Sequence, residues 1–496
     1  MWLALCEIHL YPPEVSQFIE AIKNYYYFEM IYDDLPLHGF IGTVDKEEKN
    51  GEEVEHYYLF KHLHFHVLFN GDQVIYANVS ADPHKLQELI PNKETFVEFS
   101  YSATWEETDW PFKNRMKLYE ENFFSKELEI HWLSIMNSCV LVLLLTGFLA
   151  IIIMRILKSD YTRYARSEED EEEDQDDYGW KLIHGDVFRF PPYKNLFAAV
   201  LGIGTQCVTC LFSILLLALL GLFYPNNPGT MYTATIILYA LTSIISGYVS
   251  GSYFKQMGGE KWAWNIVLVG ALFFIPVLCV FAYTNTVAIA YEATAAVPAT
   301  TILIILALIV CIGFPLTVIG GIAGKRLAGP FDAPVRTKNF PREIPTIPWY
   351  RTLPMQMIMA GFLPFSAIYI ELFYIYSSVW GHSSYQLFGI LFIVVVILFI
   401  VTACITIALT YFQLSMEDHR WWWNSFFNGG STGIFVFIYS IFYYQYRSEM
   451  SGVLQASFYF SYMALLCYFF FIMLGTVGVF SSLIFVRRIY KNIKCD

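Results

Sequence analysis

Charge is scarce in this sequence. Only 15% of its 496 residues are Asp, Glu, Lys or Arg, while 56% are hydrophobic. A soluble domain carries about a quarter charged residues, so an ordinary soluble protein is excluded. Catalytic signatures are missing too. The chain has no HExxH, no GxSxG, no P-loop and no GxGxxG at a strand-to-helix junction. No nucleophile–base set or phosphate cradle can be assembled, and the expectation is a non-enzymatic protein without a cofactor. No repeat of the hydrophobic pattern marks a two-halved carrier. The formal net charge of −13 gives no reason to expect nucleic-acid binding.

Cysteine is nearly absent from the front of the chain. Of nine cysteines only Cys6 precedes residue 133, so no disulfide can form within that region and an odd thiol there implies a partner elsewhere. Cys207 and Cys210 form a CxxC inside an apolar run, which reads as packing rather than redox or metal chemistry. A signal peptide is also missing. MWLAL is too short for a signal core and a helix containing Pro12 follows at once, so the natural N-terminus is expected to lie upstream of Met1.

What the chain has in abundance is long apolar runs. Nine occur, at residues 133–154, 196–223, 231–253, 263–283, 298–323, 356–379, 386–412, 426–445 and 453–486. Each is long enough to cross a bilayer as a helix, and the last exceeds one crossing, so it is expected to tilt or to extend beyond the membrane. Placing residues 1–132 outside puts 20 Lys and Arg on the cytosolic side and one, Arg447, in the other connections. That bias sets a lumenal N-terminus and a cytosolic C-terminus. The expected fold is an α-helical polytopic membrane protein with nine transmembrane helices plus an N-terminal lumenal α+β (β-rich) domain. Its parts are a domain at 1–132, a first transmembrane helix at 133–154, an acidic cytosolic loop at 155–195, an eight-helix membrane domain at 196–486 and a tail at 487–496. The lipid bilayer is its first expected partner.

In the front domain, Val15, Phe18, Ile19, Ile22 and Tyr26 share one helical face. HLHFHVLF and VIYANV flank Asn70-Gly71-Asp72, a hairpin turn signal, and VEFSYSATW alternates as a strand. His62, His64 and His66 fall on one strand face, where imidazoles could bind zinc or sense acid, or simply sit half-exposed among aromatics. Asn78-Val79-Ser80 is an N-glycosylation sequon, meaningful on the lumenal side.

Glu371 is the one formally charged residue well inside any apolar run. An acid at that depth costs roughly 2.5–3.5 kcal/mol on insertion scales and usually faces protein or water. Helical spacing groups it with Pro364, Ala367, Ile368, Tyr374, Ile375 and Ser378, and Pro364 predicts a kink just before it. It reads either as a proton, ion or cargo site or as a protonated acid bonded to a neighbour. Gln206, inside the second span, could hydrogen-bond another helix. Gly247 and Gly251, Gly320 and Gly324, and Gly429 and Gly433 are small residues four apart that let helices approach closely. The acidic run Ser167–Asp177 reads as solvated or as a sorting signal. The proline-rich stretch Lys325–Met355 reads as a surface strap, and Arg420-Trp421-Trp422-Trp423 as an interfacial anchor.

ELEIHWLSIMNS, GDVFRFPPY, SGYVSGSYFKQMGGEKWAWN, FPLTVIGGIAGK, PFDAPVRTKNFPREIPTIPWY, LPFSAIYIELFYI and ALTYFQLSMEDHRWWWNSF together resemble the nonaspanins, the transmembrane 9 superfamily, most of all its member one. The resemblance runs in one order from about Cys6 to Asp496. It implies residence in Golgi and endosomal membranes, with lysosomal or autophagic membranes as further sites. It also implies a role in sorting membrane-protein cargo with glycine-rich transmembrane helices. Family members end in a Lys-x-acid signal read by COPI coat subunits, and Lys494, Cys495 and Asp496 match it here. The resemblance therefore makes a non-enzymatic cargo escort the first reading. A secondary transporter or channel using Glu371 is the alternative.

Overall fold

The computed structural model describes residues 3–33, 35–49, 52–82, 85–112, 115, 127–169, 179–222, 228–293, 296–380, 388–448, 450 and 452–491. The chain divides into a front unit, Met1–His131 with two short connecting pieces, and a helical unit that begins at Trp132.

The front unit is β-rich. Strand β1 (Leu3–Leu10) is followed by helix α1 (Pro12–Lys23), then β2 (Tyr27–Tyr32), β3 (Leu35–Phe40), β4 (Gly42–Lys49) and β5 (Glu52–Phe60). Next come β6 (His62–Asn70), β7 (Gln73–Ala81), β8 (Leu86–Leu89) and β9 (Thr95–Glu107). Helix α1 starts on two prolines whose fixed φ suits a first turn, and the Glu14 carboxylate caps it by accepting from the Tyr11 backbone N–H at 2.9 Å. It stops short of Tyr26 because Tyr25 takes a left-handed backbone, φ +52°. Val15 and Ile22 then pack with Leu10, Leu59, Leu89 and Val97 in one small core. The four-stranded sheet has the order β1-β9-β6-β7. β6 and β7 form the hairpin expected at Asn70-Gly71-Asp72, with Gly71 at φ +58°. β9 runs antiparallel to β1 and parallel to β6. A three-stranded sheet β4-β5-β8 and the β2-β3 hairpin complete the unit.

Among the described residues, nine helical segments are long and apolar enough to cross a membrane. They are α2 (Glu127–Glu169), α3 (Lys194–Leu219), α4 (Pro228–Gln256), α5 (Trp262–Ala290), α6 (Ala299–Leu308) continued into α7 (Phe314–Leu327), α8 (Leu353–Trp380), α9 (Phe388–Ser415), α10 (Trp421–Tyr446) and α11 (Val453–Tyr490). A π-helical turn, Ile309–Gly313, joins α6 to α7 just before Pro315. The Gly313 carbonyl accepts from Ser243 of α4 and from Thr317, both at 3.0 Å. Side-chain hydroxyls thus serve a carbonyl at an irregular turn inside the membrane.

Helix α2 contains the expected first span, 133–154, and runs on past it to Glu169. The sequence window closes at the charges that begin with Arg155. In the structure the helix continues past these charges, and Asp160 is bonded within the bundle: Trp180 Nε1 donates to it at 3.3 Å and the Tyr411 hydroxyl donates to it as well.

The tryptophan cluster departs from expectation. Trp421 and Trp422 are buried and stacked on each other with ring centroids 4.2 Å apart, and Trp421 Nε1 donates to the Val187 carbonyl at 2.8 Å. They belong to a core shared with Trp180, Phe188, Phe197 and Tyr490, not to an interfacial belt. The segment 179–190, which reads as part of a loop, supplies much of that core.

Glycines set the closest helix contacts. A Cβ at Gly247 would lie 2.0 Å from the Thr317 carbonyl oxygen, one at Gly251 2.6 Å from that of Gly321, and one at Gly324 2.2 Å from that of Tyr248. Helices α4 and α7 therefore meet backbone to backbone. A second seam joins α10 and α11, where a Cβ at Gly429 would lie 2.6 Å from the Leu474 carbonyl oxygen and one at Gly433 2.9 Å from that of Cys467. Small residues are the usual means of such approach in lipid. With Gly320, whose Cβ would lie 2.0 Å from the Ile244 carbonyl oxygen, all six glycines picked out by spacing are used inside the molecule.

Candidate functional site

Glu371 sits on α8, seven residues beyond Pro364, and the helix runs through that proline without a break. The residue is 4% exposed. It lines a cavity of about 10 Å³ with Cys139 and Val142 of α2, Ala367 and Ile370 of α8, and Val394 and Ile397 of α9. That volume holds about one water molecule. Helical spacing alone found Ala367; it could not find the walls contributed by α2 and α9.

The helix over this cavity is peripheral. Only 12% of the apolar window of α2 is buried, and Leu143, Phe148, Ile151 and Met154 point outward. Farther along, α2 is held firmly, by Asp160 as described and by the Tyr161 hydroxyl, which donates to the Ile489 carbonyl at 3.1 Å. The cover over Glu371 thus comes from the weakly packed part of a helix anchored elsewhere.

Gln206 of α3 is buried, and its Nε2 donates to the Tyr239 carbonyl of α4 at 3.0 Å. It is more than 160 residues from Glu371 in sequence, and the cavity at Glu371 does not include it.

The three histidines of β6 face β9. His62 is held by the hydroxyls of Ser100 and Ser102 at 2.8 and 2.9 Å. His64 is held by Ser102 and Thr104 at 2.8 and 3.1 Å, and His66 by Glu106 at 3.1 Å. The parallel β6–β9 pairing sets every second residue of one strand beside every second residue of the other, which makes this imidazole–hydroxyl ladder. Burial pushes the His62 pKa below its ordinary value, with nearby Lys85 acting the same way. Among the described residues, no three His, Cys, Asp or Glu side chains are grouped as metal ligands would be. Asn78 is exposed on β7, an edge strand of the four-stranded sheet. Lys494 and Asp496 lie outside the described residues, as does most of the acidic run.

One residue that sequence reasoning passed over organises the end of the bundle where Lys and Arg concentrate. Asp186 is 3% exposed. Its Oδ1 accepts from Arg189 Nε and Nη2 at 3.2 and 2.7 Å, and its Oδ2 accepts from the Arg342 backbone N–H at 3.2 Å. The proline-rich strap is fixed there: the Lys338 N–H donates to Gly185, Arg189 Nη2 donates back to the Lys338 carbonyl, and Arg342 pairs with Glu417 at 3.1 Å. Burial lowers the pKa of the adjacent His419, with Asp186 and Asp418 pulling partly the other way. The signal available in sequence was a lone acid three residues before an arginine in an aromatic stretch.

Comparison with known proteins decides the family. Residues 2–453 match the model of endomembrane protein 70. The chain belongs to the endomembrane protein 70 family. It is 59% identical over 493 residues to putative phagocytic receptor 1b of Dictyostelium discoideum, covering 99% of this chain and 83% of that protein. It is 54% identical over 492 residues to transmembrane 9 superfamily member 3 of Arabidopsis thaliana, with the same coverage. Member 1 of Bos taurus is 50% identical over 503 residues, again covering 99% and 83%. No solved structure matches. Three of the segments that carried the resemblance, GDVFRFPPY, PFDAPVRTKNFPREIPTIPWY and ALTYFQLSMEDHRWWWNSF, meet around Asp186 in this endomembrane protein 70 chain.

Proposed function

We propose that this protein is a non-enzymatic escort that sorts or localises other membrane proteins, working in Golgi and endosomal membranes with its N-terminus lumenal and its C-terminus cytosolic. The observation that carries the reading is the position of Glu371: a buried acid at membrane depth, covered by the peripheral part of α2. A cargo helix taking the place of that cover would meet a carboxyl group on α8 and small side chains such as Ala367. An acid in lipid surroundings gains from any polar group that a partner helix brings. The family membership and the relative named a phagocytic receptor agree with a protein that handles other proteins. The glycine pairs lend it no support, because α4, α7, α10 and α11 use them on each other. Transport through Glu371 is the weaker reading, since the cavity beside it holds about one water.

The test is to capture membrane partners with the wild type and with Glu371→Gln after both are shown to fold and localise alike. A defined set of membrane proteins should be lost, by tenfold or more, from the variant. An unchanged partner list, or a reconstituted proton or solute flux that the substitution abolishes, would overturn the escort reading.

Retention is proposed to rest on the tail. Lys494 and the two carboxylates of Asp496, side chain and terminus, offer a fixed charge pattern that COPI coat subunits can grip. Lys494→Ala and Asp496→Ala should each shift the steady-state distribution from Golgi to later compartments or the cell surface, read by microscopy and surface labelling. Golgi residence unchanged in both would sink the proposal.

A further inference from the structure

We propose that a cavity at the Lys- and Arg-rich end of the bundle binds an anionic phospholipid, with its phosphate group at Arg189, Arg351 and Arg420 and an acyl chain against Met359, Leu409 and Phe412.

The cavity measures about 820 Å³, within the range of roughly 300–1,000 Å³ typical of small-molecule sites. Its walls come from the Arg189–Pro192 turn, the end of the proline-rich strap at Ile347–Thr352, the start of α8, the end of α9, the α9–α10 connection and the start of α10. Two of the wall residues, Met359 and Phe412, stay exposed on helices that enter the membrane. The cavity therefore reaches the lipid-facing surface near the helix ends, where lipid headgroups lie.

Its charge is lopsided. Three guanidinium groups line it; Arg189 is paired with Asp186 and Arg420 with Asp418, which leaves the charge of Arg351 in excess. Two of the arginines are already oriented. Arg189 is held by Asp186 and the Lys338 carbonyl, and Arg420 is bonded through Nε and Nη2 to the two oxygens of Asp418 at 3.1 and 3.3 Å. Arg351 makes no ion pair among the described residues and lies against the Tyr350 ring, 5.7 Å from its centroid. The Arg351 guanidinium suits a phosphate, whose oxygens accept two parallel hydrogen bonds, with Arg189 and Arg420 adding positive charge beside it. Basic pockets between membrane helices are a recognised way to hold a lipid headgroup.

The wall also has unused hydrogen-bonding capacity. Gln413 Nε2, His419 Nδ1 and Trp422 Nε1 are buried without a partner among the described residues, each on a side chain that lines the cavity. Unsatisfied buried polar groups are costly, and a polar headgroup in the cavity would offer these three side chains a partner. An all-apolar occupant would leave Arg351 without an anion. A soluble phosphate would leave the apolar wall unserved.

The inference is independent of the escort reading and of which side of the membrane this end faces, because it is tested on the full-length protein in detergent. Native mass spectrometry would count bound lipids after addition of phosphatidylserine, phosphatidylinositol monophosphate, phosphatidylcholine or soluble inositol phosphate. Retention of at least one anionic lipid well above phosphatidylcholine is expected. Arg351→Gln should weaken that retention roughly tenfold, the worth of one charge-assisted contact, and Leu409→Trp should abolish it by filling the cavity. Both variants should keep the wild-type melting temperature. Equal retention of neutral and anionic lipids, or inositol phosphate binding as tightly as the lipid, would overturn the proposal. So would anionic-lipid binding that survives both substitutions.

Discussion

Gly247→Leu should prevent folded protein from accumulating, whereas Gly147→Leu should be nearly silent. Both glycines lie inside membrane helices. At Gly247 even the first carbon of a side chain would sit 2.0 Å from the Thr317 carbonyl oxygen and 2.8 Å from the Gly321 nitrogen. Those obstacles are backbone, so no rotamer change can relieve them, and α4 and α7 must separate. Overpacking a well-filled core costs about 1–3 kcal/mol and occasionally more. Here separation would also cost Ser243 its reach to the Gly313 carbonyl. At Gly147 nothing lies within 4 Å of the added atom, and the new side chain would meet lipid. Detergent-soluble yield and size-exclusion profile would read the difference. Comparable behaviour of the two variants would mean that the α4–α7 seam does not govern assembly.

Asp186→Ala should free the proline-rich strap. The substitution leaves Arg189 without its anion and the Arg342 N–H without its acceptor. Removing one partner of a buried ion pair costs about 3–5 kcal/mol, and the lower end applies here because the Arg189 side chain keeps 30% of its exposure. Limited trypsin digestion should cut at Arg336 and Lys338 at least tenfold faster than in the wild type, with the melting temperature in detergent lowered. Asp186→Asn, which keeps an acceptor for Arg342, should fall between. A strap equally resistant in all three proteins would show that Asp186 is not its anchor.

Much of the helical unit was legible in the sequence, because a bilayer demands long apolar runs and nine were present. How far each helix runs beyond its span was less legible. Helix α2 continues past the first span to Glu169, and Asp160 there faces Trp180 and Tyr411. Glu371 announced itself by its charge, but its surroundings did not, because Cys139, Val142, Val394 and Ile397 come from two other helices and carry no signal of their own. The histidines fell on one strand as alternation predicted. Their serine partners depended on a parallel pairing between strands with no sequence mark. Trp421 and Trp422 were misread for a general reason. An aromatic cluster beside a basic residue looks the same at the membrane rim as in a core, and only the fold of residues 179–190 against it decides.

The glycine seams also decide where the bundle has mechanical freedom. Two helices in backbone contact have no layer of side chains between them that could shear, so α4 with α7, and α10 with α11, are each locked into a single beam. Displacement must be absorbed by helices that touch their neighbours only through side-chain tips, α2 among them. The bundle is in this sense a set of rigid beams with looser staves at its edge, and one of those staves lies over Glu371.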